Sequence, residues 1–259
     1  MNSVASFVFK SFAMVEVEVV KLRRDPTEIL SRAVQPALWM LVFGQVMAHA
    51  KAIQTGKLAY IDFMAPGILA QSVLFTSIFY GLSAIWERDL GILQKYLVSP
   101  TPRTALVTGK ALSAGIRGIA QSVFVYALSL ILGVHLNWNP LDLLGGLLAI
   151  MLGAAFFSTF SLIIACIVKS RERFMGIGQV LTMPLFFASN AIYPIAMMPG
   201  WLQTVSHLNP LTYQVDLLRS TMVVGGTNTF SLAIDIAVLL GSTIVAILIA
   251  AKLYPGLAT

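Results

Sequence analysis

The chain has 259 residues, 58% of them hydrophobic and only 11% charged, where a soluble domain is about a quarter charged. So few charges cannot cover a soluble fold of this size, and the apolar surplus has to face lipid. The net charge of +6 does not mark a nucleic-acid binder, because the basic residues are sparse and sit between long apolar runs.

The leading segment contains Glu16 and Glu18 and has no small-residue cleavage site, so no cleavable signal peptide is expected. Its VEVEVV stretch alternates as a strand would, yet a lone strand beside a membrane has no partner for its backbone. Lys10, Glu18, Lys21 and Arg24 share one helical face. That pattern predicts an interfacial amphipathic helix over residues 1–26, ended by Asp25-Pro26.

Charge-free stretches of roughly 20 residues place the spans. They predict an all-α polytopic membrane protein with six transmembrane helices, over residues 33–50, 63–86, 118–134 (extended back towards Ala111), 143–168, 174–194 and 230–251. Residues 174–214 carry no Asp, Glu, Lys or Arg, but they do carry Pro184, Pro194, Pro199 and Pro210. The prolines argue against two full spans there. Residues 195–224 are expected to form short re-entrant outer helices, since irregular backbone at that depth needs protein around it. No internal repeat is present, and the whole chain, 1–259, is expected to be one membrane domain.

Orientation follows from the basic residues. Lys10, Lys21, Arg23, Arg24 and Arg32 flank the first span. Arg88, Lys95, Arg103, Lys110 and Arg117 lie between or beside the second and third. Lys169, Arg171 and Arg173 separate the fourth from the fifth, and Lys252 follows the sixth. Only Lys51, Lys57 and Arg219 fall on the other side. The positive-inside rule then puts both termini in the cytoplasm.

Two soluble segments carry the most information. Residues 87–103, ERDLGILQKYLVSPTPR, begin with a charged cluster and continue with Leu90, Leu93 and Leu97 at helical spacing, before a Pro-rich stop. Such an amphipathic helix either docks into a partner groove or lies on the membrane surface; the pattern fits both. The second segment, 181–219, mixes apolar bulk with prolines, amides and aromatics.

Those two segments resemble the membrane subunits (permeases) of the type-two ABC exporters. The resemblance rests on Glu87, Gly91 and the Leu-Val-Ser-Pro ending at residues 97–100, and on SNAIYPIAMMPGWLQ followed by NPLTYQVDLLR. Ile92 departs from the small polar residue that often follows the motif glycine. The resemblance implies two membrane subunits, as a homodimer or heterodimer, working on two ATPase subunits. It makes Glu87, Arg88, Gly91, Leu93, Leu97 and Pro100 parts of a coupling helix seated in the ATPase, which the amphipathic helix also touches. Tyr193, Pro194, Pro199, Trp201, Asn209 and Pro210 would then belong to outward-facing helices that close the path. ATP and Mg would sit on the partner ATPase, with no cofactor in this chain.

The residues support one part of this directly. A phosphate-binding P-loop needs GxxxxGK[ST]. The only Gly-Lys pairs, at 56–57 and 109–110, are followed by Leu58 and Ala111. ATP hydrolysis has to come from another polypeptide. No HExxH, GxSxG or paired His/Cys cluster nominates an enzyme.

Polar residues inside the spans are candidates for a path. Gln71, Ser72 and Thr76 punctuate the second span; Gln179, Thr182 and Asn190 punctuate the fifth. They are expected to line a path at the dimer axis, or alternatively to hydrogen-bond within one subunit. Gly145, Gly146 and Gly153 mark close packing. Asp235 is expected to reach the interface or to pair with Arg219, and Cys166 to act as a small hydrophobe. His49, His135 and His207 fall at outer ends, and no metal-ligand spacing occurs. The reading is a permease exporting a hydrophobic or amphipathic cargo, with an ion-coupled secondary transporter or a membrane scaffold as alternatives. The absence of a carboxylate near any span centre argues against the first alternative.

Overall fold

The computed structural model describes residues 27–51, 53–56, 58–98, 102–168 and 170–257, with Val15, Glu16, Val19, Val20 and Arg24 of the leading segment. The helix expected over 1–26 therefore lies largely outside the described residues.

All named elements among the described residues are helical. α1 (Thr27–Leu38) runs through a π-helical turn (Trp39–Gly44) into α2 (Gln45–Ala50). α3 (Tyr60–Tyr80) and α4 (Leu82–Asp89) follow, then the short α5 (Ile92–Val98). α6 (Arg103–Ile131) and α7 (Pro140–Val168) are the longest helices, and α8 (Arg171–Phe187) comes next. A 3-10 turn (Ile195–Met197) leads to α9 (Gly200–Leu208) and α10 (Pro210–Met222). α11 (Leu232–Leu253) ends in a second 3-10 turn, Tyr254–Leu257. A single antiparallel bridge joins Leu136 to Val223.

Among the described residues, four stretches are long and apolar enough to cross a membrane: Tyr60–Asp89, Arg103–Ile131, Pro140–Val168 and Leu232–Leu257. They correspond to the second, third, fourth and sixth expected spans. The first expected span falls in α1 and α2, and the fifth in α8.

α7 is the axis of the bundle, with α3, α6, α10 and α11 packed against it. Lipid is as apolar as a leucine side chain, so helices in a bilayer associate through close fit. α7 supplies that fit with small residues. A Cβ on Gly145 would come 2.8 Å from the Thr221 side chain of α10, and one on Gly153 would overlap Gln214. The best-shielded span is Tyr60–Asp89, 72% buried in its apolar window, and the least is Leu232–Leu257, at 22%. Helix α3 is thus the interior element and α11 a peripheral one.

Two boundaries differ from expectation. The second span is not one straight helix, because it breaks at Gly81. The Ser161 hydroxyl of α7 donates to the Ile78 carbonyl, and a Cβ at Gly81 would collide with Ser161. The fifth span ends at Phe187, short of Pro194, and carries Pro184 inside the helix. Its last carbonyls are taken over by Asn209, whose Nδ2 donates to Leu185 at 2.7 Å and Ala188 at 3.3 Å. With those acceptors satisfied, the helix has no need to continue.

Candidate functional site

At one end of the bundle the chain forms a charged elbow. Gly91, at φ +69, turns the chain between α4 and α5, a conformation that costs glycine little. The Lys110 ammonium of α6 donates to both Glu87 oxygens, at 2.8 and 2.7 Å. Asp89 accepts from Arg88 at 2.7 Å and from Arg171 Nε of α8 at 2.9 Å. The Arg171 guanidinium also lies 5.6 Å from the Trp86 ring centroid. The elbow is thereby fastened to both α6 and α8.

The leucine stripe read from the sequence is split by this turn. Leu90 closes α4 and is 71% exposed, whereas Leu93 of α5 is fully buried. The left-handed residue Gly91 intervenes, so Leu90 and Leu93 do not share one helical face. Val98 is 86% exposed, which leaves α5 with one inward anchor and an outward apolar surface. The Leu97 side chain and Pro100 lie outside the described residues.

At the opposite end, α9 and α10 form a helical hairpin. Pro199 caps α9, and Pro194 precedes the 3-10 turn. Asn209 caps α10 by accepting from the Leu211 N–H at 3.1 Å, with Pro210 in the first turn, where its missing N–H costs nothing. The Tyr193 hydroxyl donates to the Phe187 carbonyl, and burial pushes its phenol above the ordinary value. Tyr193, Trp201, Asn209 and Pro210 border one cleft of about 550 Å³ between α8 and α9; Pro194 and Pro199 do not line it. A second groove, about 720 Å³, runs along α1 and the π turn, with Arg32 and Gln35 among apolar Leu38, Trp39 and Val42.

The residues that hold the hairpin in place were not singled out by the sequence. Arg219, 2% exposed, donates to the Asn190 carbonyl at 2.6 Å and the Phe63 carbonyl at 3.3 Å. Its guanidinium lies 3.8 Å from the Phe63 ring centroid. Asp216, one turn earlier and fully buried, accepts from the backbone N–H groups of Thr229 at 2.7 Å and Phe230 at 2.8 Å, and from Asn190 Nδ2 at 3.3 Å. Arg219 is therefore an interior group and not a surface charge. Nor does Asp235 pair with it or reach the interface: Asp235 is fully buried and neither carboxylate oxygen has a hydrogen-bond partner. Opposite charges three residues apart, at 216 and 219 on one helix face, were the available signal.

Of the six polar residues nominated for a path, five are interior. Gln71, Ser72, Thr76, Thr182 and Asn190 are each at most 6% exposed within the one chain. Thr182 donates to the Gly178 carbonyl at 2.6 Å, and Asn190 joins the Asp216 network. Gln179 alone is exposed, on a face of α8 that also presents Met175 and Val180.

A glycine-seamed bundle of long apolar helices, with a charged elbow at one end and a helical hairpin at the other, defines an integral membrane protein. Residues 10–223 match the ABC-2 type transporter family, and the chain belongs to it. It is 31% identical over 222 residues to ycf38 of Cyanophora paradoxa, named a transport permease, covering 84% of this chain and 76% of that one. It is 23% identical over 204 residues to the daunorubicin resistance ABC transporter permease protein DrrB1 of Streptomyces coeruleorubidus, covering 79% and 71%. The inner membrane transport permease YadH of Escherichia coli K12 is 25% identical over 191 residues, 70% of each chain.

Proposed function

We propose that this chain is the membrane-spanning subunit of an ATP-driven exporter, paired with a second permease subunit and driven by two copies of a separate ABC ATPase. The observation that carries the reading is the elbow. A seven-residue helix is too short to be stable alone, yet α5 is anchored by the buried Leu93 and joined at Gly91 to α4, which ion pairs tie to two other helices. The elbow presents Leu90 at the end of α4 and Val98 at the end of α5 outward, as a docking surface for another protein does. ATP and Mg belong to that partner.

The path runs across six spans in this reading. α1, the π turn and α2 continue without a break for about 35 Å at the helical rise. α8 has 17 residues, the short end of the roughly 17–25 that cross a bilayer. They join the four longer stretches, and the basic residues then place the elbow and both termini in the cytoplasm. The α9–α10 hairpin is the re-entrant outer gate: α10 runs along α7 from Gly153 to Gly145, about 12 Å, and its polar backbone is covered by protein. Gln179 faces the path or the second subunit. The burial of Gln71, Ser72, Thr76, Thr182 and Asn190 supports packing roles for them.

The cargo is a hydrophobic or amphipathic molecule. The apolar grooves support this, as does a relative named for daunorubicin resistance. The inner membrane is the site by the same reasoning from YadH. The test is affinity purification from mild detergent, assayed for bound ATP hydrolysis. Wild-type chain should carry a stoichiometric ATPase, and Leu90→Asp with Val98→Asp should reduce the bound activity at least tenfold. A preparation that preserves such complexes yet yields no ATPase sinks the exporter reading and favours a secondary transporter or scaffold.

A further inference from the structure

Beyond the elbow's own ion pairs, one apolar cluster joins α5 to residues far along the chain. Leu93, the single fully buried side chain of the described residues in α5, belongs to an apolar cluster with Leu106 of α6, Leu162 of α7, Ala250 of α11, and Tyr254 and Leu257 of the 3-10 turn. Tyr254 and Leu257 are both fully buried, while Lys252 and Gly256 beside them are exposed. Pro255 fits the end of a helix, since it cannot continue the hydrogen-bond ladder. The turn packs onto α7, as the rest of α11 does.

α11 itself is mostly bare of protein contacts, so lipid is its main neighbour. At its inner end the pattern reverses, and two large side chains are driven inward beside the docking helix. Close-packed interiors transmit displacement because they hold few voids. A displacement of Leu93 is thus felt across the cluster, which includes Leu257 and Tyr254 at the end of α11.

We infer that the turn Tyr254–Leu257 is a positioning element for α5, with Leu257 and Tyr254 setting the height and angle at which the helix meets its ATPase. This rests on the coupling role proposed above. Leu257 touches neither nucleotide nor cargo; it acts through the cluster that buries Leu93.

The test uses the intact complex, purified with its ATPase and reconstituted in lipid nanodiscs, with ATP turnover as the readout. Leu257→Ala and Leu93→Ala should each lower kcat about fivefold and leave KM for ATP within twofold. The double variant should be no slower than Leu93→Ala alone, because both act through one cluster. Leu257→Met, which refills the space, should restore turnover. Should Leu257→Ala lower the yield of folded complex, Leu257→Val replaces it and is read by the same ratios. Wild-type kcat in the Leu257 variants, or losses that multiply in the double variant, overturns the inference. A wild-type chain that recruits no ATPase overturns the exporter reading instead.

Discussion

The two ends of the bundle handle charge in opposite ways. At the hairpin end, Arg219 and Asp216 are buried, and most of their partners are backbone groups: the carbonyls of Phe63 and Asn190, and the amides of Thr229 and Phe230. At the elbow, side chains pair with side chains, Glu87 with Lys110 and Asp89 with Arg171. The Arg171 side chain is 49% exposed and that of Asp89 30%. A backbone partner cannot swing away, so each buried charge staples separate chain segments to α10. Exposed pairs open at little cost and can be remade with a partner or with water. The hairpin end is built to keep one geometry; at the elbow Glu87–Lys110 is shielded, its side chains 20% and 8% exposed, and Asp89–Arg171 is the pair free to exchange contacts.

The hardest blow to this contrast is Arg219→Leu. It removes a donor from the carbonyls of Phe63 and Asn190 and leaves Asp216 without its nearby cation. Stability in detergent should fall by about 3–5 kcal/mol, as when one half of a buried pair is removed. Thermal unfolding monitored by tryptophan fluorescence checks this, and the loss should be the same at low and high salt. A smaller loss, about 1–3 kcal/mol, is expected for Gly67→Leu, because a Cβ on Gly67 already runs into the Ala191 backbone. That variant disturbs the loop Arg219 holds without touching a charge. The smallest effect is Asp89→Asn, a slight loss that vanishes at high salt, where exposed pairs are screened. If Asp89→Asn cost as much as Arg219→Leu, the two ends would not differ in kind.

The long helices were legible in the sequence because a bilayer demands uninterrupted apolar length, and four of the expected spans coincide with stretches long enough to cross it. The glycine seam of α7 was legible for a similar reason: Gly145 and Gly153 have no role but close approach. What escaped was set by partners distant in the chain. The break at Gly81 depends on Ser161, and the end of α8 depends on Asn209, neither of which local pattern can report. Counting Arg219 among surface charges failed because an inward arginine with carbonyl partners looks the same in sequence as an outward one. In the elbow, the spacing of Leu90 and Leu93 suggested a single stripe. The left-handed turn at Gly91 separated them, and only a positive φ, invisible in hydropathy, decides that.

The π-helical turn at Trp39–Gly44 gives the first helix a tolerance that the others lack. A π turn holds one residue more than the α-helix it interrupts. A homologue with one residue fewer there could relax the turn to ordinary α-helix, and both flanks would keep the faces they present to α3. The same deletion in α3 or α7 would rotate everything beyond it by about 100° and tear apart the glycine seam. Length variation among relatives should therefore gather at this turn, which acts as an expansion joint in an otherwise rigid frame.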